Sequence, residues 1–182
     1  MHPQPIAIPE PVGSSAPVGA VPAPRLPPCP VGDPLAHTQL PGITLPCLGA
    51  GPTAPLNHLP ARPYVINFWA SWCIPCRRES SRLRAAAAAA GRHVEFIGVD
   101  TADDRSAAFA FLARFGIGYP QWADPNSEAG HRLGLPGIPV TLAVDATGRI
   151  VYRRIGEISE AQLTAAVHAA NRARESGAGG HR

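Results

Sequence analysis

Lysine is missing from this chain: all 16 positions counted as Lys+Arg are arginine. The formal net charge is only +3. The arginines nowhere gather among aromatic residues as they do on a nucleic-acid surface, so a nucleic-acid partner is not expected. The arginine and alanine bias is taken as genome composition rather than function. Long apolar runs are missing too. Nothing is long enough for the h-region of a signal peptide or for a membrane span. Cysteine is sparse, with four in 182 residues. Cys29 and Cys47 stand 18 apart, which is not the paired spacing of a zinc ribbon, and the histidines are scattered away from the cysteines. Neither a metal nor a cofactor is expected.

An apolar content of 45% is enough for a real core, and the length suits one ordinary domain plus a tail. Residues 1–37 are rich in proline, glycine and alanine without apolar periodicity. Such a stretch does not bury enough surface to offset its ordering entropy, and it is expected to be an extended linker. Residues 38–175 are the expected domain, and 176–182 a flexible tail.

The domain is organised around Tyr64-Val65-Ile66-Asn67-Phe68-Trp69-Ala70-Ser71-Trp72-Cys73-Ile74-Pro75-Cys76. Val65, Ile66, Phe68 and Trp69 suit a buried central strand. From Cys76 the chain turns helix-forming. Cys76, Ser80, Leu83, Ala87 and Ala90 share one face, and Gly91 is placed for the C-cap. Cys73 then stands at the helix N-terminus, where free N–H groups and the macrodipole favour a thiolate. Pro75 is tolerated in the first turn, which needs no N–H donor from it.

The remaining pattern is regular. Ile43 to Leu45 is a short strand and Val94 to Val99 a buried one. A helix is expected over Arg105–Phe115, with Asp103-Asp104 at its start and Gly116 at its end. Trp122 to Asp124 is extended, and Asn126 to Leu133 forms a short helix. Val140 to Val144 and Arg149 to Ile155 are two strands about a tight turn. An amphipathic helix capped by Ser159 runs to Arg174. Together these predict an α/β fold, with a mixed sheet and helices on both faces.

Trp72-Cys73-Ile74-Pro75-Cys76 after Phe68-Trp69-Ala70 resembles the thioredoxin superfamily. More narrowly, it resembles the TlpA/ResA-like, DsbE-type thiol-disulfide oxidoreductases. Glu79, three residues after the second cysteine, matches that group's active-site glutamate. Gly137-Ile138-Pro139-Val140-Thr141 is similar to its cis-proline segment, and Gly98-Val99-Asp100 with the following helix to its extra strand-helix insert. The resemblance runs from about Leu40 to about Arg174 and implies a thioredoxin-like three-layer α/β/α sandwich. Two departures stand out. Asn67 occupies the place of thioredoxin's buried aspartate, and Ser80 that of the group's helix proline.

The resemblance implies exchange with protein thiols and disulfides, as a reductant outside the cytoplasm, for example in cytochrome c maturation. Apocytochrome c or other envelope proteins would be partners, beside an unidentified electron donor, and the chain would be a monomer. Cys73 is the expected attacking thiol, exposed at the helix start, and Cys76 the more interior resolving thiol. Glu79 would take the proton of Cys76; the alternative is a solvated glutamate paired with Arg78 or Arg82. Trp72, Pro75, Ile138 and Pro139 would meet the substrate. Cys29 and Cys47 are expected to form a structural disulfide, which suits an oxidising compartment; two free thiols are the alternative. An export signal or anchor would have to come from a start upstream; otherwise the protein is cytoplasmic. Two further readings stay open. One is a binding module whose CxxC is a structural bridge. The other is a peroxiredoxin-like peroxidase, although Ala70 stands where that class needs threonine.

Overall fold

The computed structural model describes residues 24–35 and 37–178. Residues 1–23 of the expected linker and 179–182 of the expected tail lie outside them. The elements are β1 (Thr44–Leu45), β2 (Ala54–Pro55), β3 (Tyr64–Trp69), α1 (Ile74–Ala90), β4 (Glu95–Thr101), α2 (Arg105–Phe115), β5 (Gln121–Asp124), α3 (Glu128–Arg132), β6 (Val140–Val144), β7 (Ile150–Ile155) and α4 (Glu160–Ala178).

Five strands form one sheet in the order β5-β4-β3-β6-β7. β3 is buried at every residue and lies at the centre. It pairs parallel with β4 and antiparallel with β6, and β4 pairs parallel with β5. The alternation of β3 sends its residues to two cores. Tyr64, Ile66 and Phe68 pack with Ile97, Val99 and Leu142 under Leu40, Leu45, Leu56 and Leu59. Val65 packs with Phe96 beneath Leu83 of α1 and Leu163 and Ala166 of α4. Trp69 stacks on Phe111 of α2, with ring centroids 4.4 Å apart. The three layers are therefore α1, α2 and α4, then the sheet, then α3 with the β1–β2 ribbon.

Helix ends follow local chemistry. The Asp104 carboxylate accepts from the N–H groups of Ser106 and Ala107, and Gly116 closes α2 in the left-handed conformation. Ser159 and Gln162 cap each other reciprocally at the head of α4. That helix continues past Arg174 to Ala178, because no breaker precedes Gly177.

Residues 24–35 differ from the linker expectation. They lie against the domain, with Leu26 and Cys29 only 8% and 4% exposed. The disulfide Cys29–Cys47, with Cα atoms 5.8 Å apart, fixes them there. Composition alone favoured a linker because two buried side chains among many prolines leave no periodic signal. Residues 46–48 extend the sheet: Leu48 N–H donates to Gln121 O and Ala123 N–H to Pro46 O, both at 2.9 Å. This covers the β5 edge.

Candidate active site at the head of the first helix

β3 delivers the chain to the head of α1 at Cys73, which is the N-cap residue. Its Sγ accepts from Cys76 N–H at 3.2 Å. Pro75 sits in the first turn, where no donor is lost. Cys73 and Cys76 are joined by a disulfide, with Cα atoms 5.3 Å apart. The sulfur that a helix start favours as an anion is thus bound to a second one a single turn away.

Cys73 differs from expectation in exposure. It is 4% exposed and Cys76 1%, so both are buried, Cys73 slightly less. They belong to one apolar cluster with Trp69, Ala70, Phe111, Leu112 and the N-terminal Leu26, and Ile138 packs against that cluster. What stands out to solvent is the apolar rim: Trp72 is 57% exposed and Ile74 65%. Trp72 also forms a wall of a groove of ≈ 370 Å³ lined by Ala102, Leu135, Pro136 and Ile138. The Ile138–Pro139 peptide bond is cis. The Pro139 carbonyl accepts from Gly156 N–H at 2.9 Å, which places Ile155, itself 52% exposed, beside this segment.

Glu79 is completely buried. Its Oε1 accepts from Asn67 Nδ2 at 2.9 Å and its Oε2 from Ile158 N–H at 2.8 Å. Arg78 and Arg82, the partners of a solvated glutamate, bind Glu157 instead. Burial is the main reason that the Glu79 carboxyl is pushed up to about 7, against the pull of its two hydrogen bonds. Asn67 also donates to Thr141 Oγ1 at 3.1 Å, its partner across β3–β6. The amide in the aspartate's place thus orients the glutamate of the next turn. Ser80, where the helix proline is missing, donates its hydroxyl to the Cys76 carbonyl at 2.7 Å.

Three contacts at the site are not legible in the sequence. Ser71 Oγ donates to Asp103 Oδ1 at 2.8 Å, Arg77 Nε donates to Ser71 O at 2.8 Å, and Trp72 Nε1 to Ala102 O at 3.1 Å. Asp103 has a helix-capping look in sequence, but Asp104 alone caps α2. Gln121 makes a fourth: its Oε1 accepts from Trp69 Nε1 at 2.9 Å across β4. Gly98 leaves the room, since a Cβ there would lie 1.8 Å from that oxygen.

A CxxC disulfide heading the helix that follows the central strand of such a sheet defines a thiol-disulfide oxidoreductase of the thioredoxin fold. The family model for Redoxin matches residues 31–168. The chain is 36% identical over 132 residues to the thiol:disulfide interchange protein HelX of Rhodobacter capsulatus, covering 71% of this chain and 73% of that one. It is also 36% identical to the thiol:disulfide interchange protein DsbE of Allochromatium vinosum, covering 78% and 77%. Among solved structures, a secreted Mycobacterium tuberculosis disulfide oxidoreductase homologous to E. coli DsbE superposes with a TM-score of 0.61 at 26% identity, over 70% of this chain and 96% of that one. The chain belongs to the Redoxin family and, within it, to the thiol:disulfide interchange proteins.

Proposed function

We propose that this chain reduces disulfides of partner proteins outside the cytoplasm, with Cys73 attacking, Cys76 resolving and Glu79 accepting the resolving proton. The Cys73 thiolate forms a bond to one sulfur of the partner disulfide and expels the other as thiolate. Cys76, its proton passed to Glu79, then attacks Cys73 Sγ. The second partner sulfur leaves, the partner has gained two electrons, and the chain ends as the Cys73–Cys76 disulfide. Direction rests on the DsbE-type resemblance, which also suggests apocytochrome c or another envelope protein as partner.

The observation that carries this reading is Glu79, wholly buried one turn beyond Cys76 and pushed up to about 7. A carboxyl so placed is a base at the pH where a thiol needs one. The exposed rim of Trp72, Ile74 and Ile155 with the groove behind it suits an apolar protein segment. Compartment is supported by the secreted relative and by the Cys29–Cys47 disulfide outside the CxxC pair. Among the described residues no helix is long and apolar enough to cross a membrane.

The test is Glu79→Gln in stopped-flow exchange with a model disulfide. Resolution should slow by roughly 10²–10⁴-fold near neutral pH, and the defect should shrink as pH rises and Cys76 ionises unaided. Wild-type rates at every pH would make Glu79 a structural residue only.

A further inference from the structure

Ser71 stands two residues before Cys73, and charged side chains take each of its polar atoms. Its N–H and hydroxyl both donate to the Asp103 carboxylate, and its carbonyl accepts from Arg77 Nε. Trp72 is tied to Ala102 O in the same turn. Ala102 holds a φ of 50°, a left-handed backbone that a residue with a Cβ keeps only where its surroundings enforce it. The loop that carries Cys73 therefore rests on the turn at the end of β4.

Beneath that turn lies Asp100, 3% exposed. Its Oδ1 meets no donor, and its carboxyl is within hydrogen-bonding reach of Asp103. A buried carboxyl beside a second carboxylate resists ionisation, so Asp100 is pushed above its ordinary value. Asp103 already receives three donors, from Ser71 N–H, Ser71 Oγ and Asp104 N–H. Its raised proton affinity makes Asp100 the donor of the two and Asp103 the acceptor.

We propose that Asp100 and Asp103 are positioning residues for the exchange reaction: Asp103 clamps Ser71 and so fixes Cys73 at the head of α1, and Asp100 supports Asp103 from beneath. The proposal rests on Cys73 as the attacking thiol. It gives the site a second acid group, on β4, which flanks β3 on the side away from β6. Burial first, then the charge and hydrogen bond of Asp103 and the charge of Asp104, push Asp100 up to about 8. The other groups facing it are accounted for. Its ladder neighbours Trp69 and Ala123 carry no charge. Arg77 of α1 and Arg105 of α2 are bound to the carbonyls of Ser71 and Leu48. Glu79 is held by Asn67 and Ile158. Cys73 and Cys76 titrate once reduced.

The sign follows. Below its pKa Asp100 is a neutral donor and the clamp is closed. Above it, a second carboxylate repels Asp103 from Ser71 and sets another negative charge near the forming thiolate. Attack by Cys73 then falls behind the rise expected from thiolate formation alone.

The experiment follows single-turnover reaction of the chain reduced at Cys73–Cys76 only with an aromatic disulfide reagent (dithiobis-nitrobenzoate), from mildly acidic to alkaline pH. Asp100→Asn keeps a neutral donor toward Asp103 at every pH. It should match wild type in mild acid and run about threefold to tenfold faster in alkali, the effect of removing a like charge from a thiolate. Ser71→Ala, which deletes one of the two clamped donors without changing the charge, should be slower by about tenfold across the range. An Asp100→Asn profile parallel to wild type overturns the role of Asp100, and an unslowed Ser71→Ala overturns the clamp. Failure of the underlying reading is distinct: mapping the modified sulfur in wild type would then find Cys76 labelled before Cys73.

Discussion

The chain holds two disulfides whose geometry is similar and whose surroundings are not. Cα separations are 5.3 Å for Cys73–Cys76 and 5.8 Å for Cys29–Cys47, and all four cysteines are buried. In each pair one sulfur even accepts a backbone N–H at 3.2 Å. The differences lie one shell out. Cys73 caps a helix of 17 residues, so its sulfur feels a whole helix start, while Cys29 Sγ lies 3.1 Å from the Gln121 carbonyl oxygen. The first setting favours a departing thiolate and the second opposes it. Around this pair stand an exposed apolar rim and a buried carboxyl one turn beyond Cys76. Around Cys47 the chain adds a strand to the β5 edge. Burial and bond formation therefore do not distinguish a redox pair from a staple; the electrostatics of the sulfurs and the access of a partner do.

The comparison is broken most severely at the cysteines themselves. Cys73→Ser is expected to abolish exchange, and Cys76→Ser to leave partners trapped as mixed disulfides, visible by mass spectrometry. Alkylation of the reduced protein should reach Cys73 first. A faster Cys76 would reverse the two roles, and the small difference in their burial makes this a sharp test.

The second pair should act on stability. Replacing Cys29 and Cys47 by alanine opens a loop of sequence separation 18 and is expected to cost about 3 kcal/mol in denaturant unfolding, with exchange continuing. Mild reduction should open Cys73–Cys76 while Cys29–Cys47 stays bonded. Exchange of both pairs with the same thiol buffer would erase the distinction.

The smallest effect is the pH dependence of folding that Glu79 imposes. Its folded pKa is raised from 4.5 to about 7, so the native state holds a proton that the unfolded chain has lost between these values. Its contribution is fully present below the unfolded pKa and is lost as pH rises through about 7. Wild type should lose on the order of 2–3 kcal/mol relative to Glu79→Gln between mildly acidic and mildly alkaline pH. Parallel stability curves for the two proteins would mean that Glu79 ionises freely and would remove its claim to a tuned role.

Local pattern determined much of this protein. The apolar run Val65–Trp69 followed by Cys73-Ile74-Pro75-Cys76 makes a strand that enters a helix with a cysteine at its cap, and Glu79 follows one turn on by helical spacing. The helix over Arg105–Phe115 and the hairpin after Val140 are written the same way, because periodicity and turn residues act over a few positions. Tertiary structure alone decided what lies around these elements. It bends residues 24–35 back so that Leu26 meets the cluster of the redox cysteines, since two apolar side chains gain burial only when a distant surface is already formed. It turns Asp103 from a helix end to Ser71, because parallel β3 and β4 finish side by side and bring their loops into hydrogen-bonding range. It buries Cys73 beneath Ile138, 65 positions onward, and sets Glu79 between Asn67 and the backbone of Ile158, 79 positions onward. Proton affinity and sulfur access depend on such distant contacts, and no spacing within the chain encodes them.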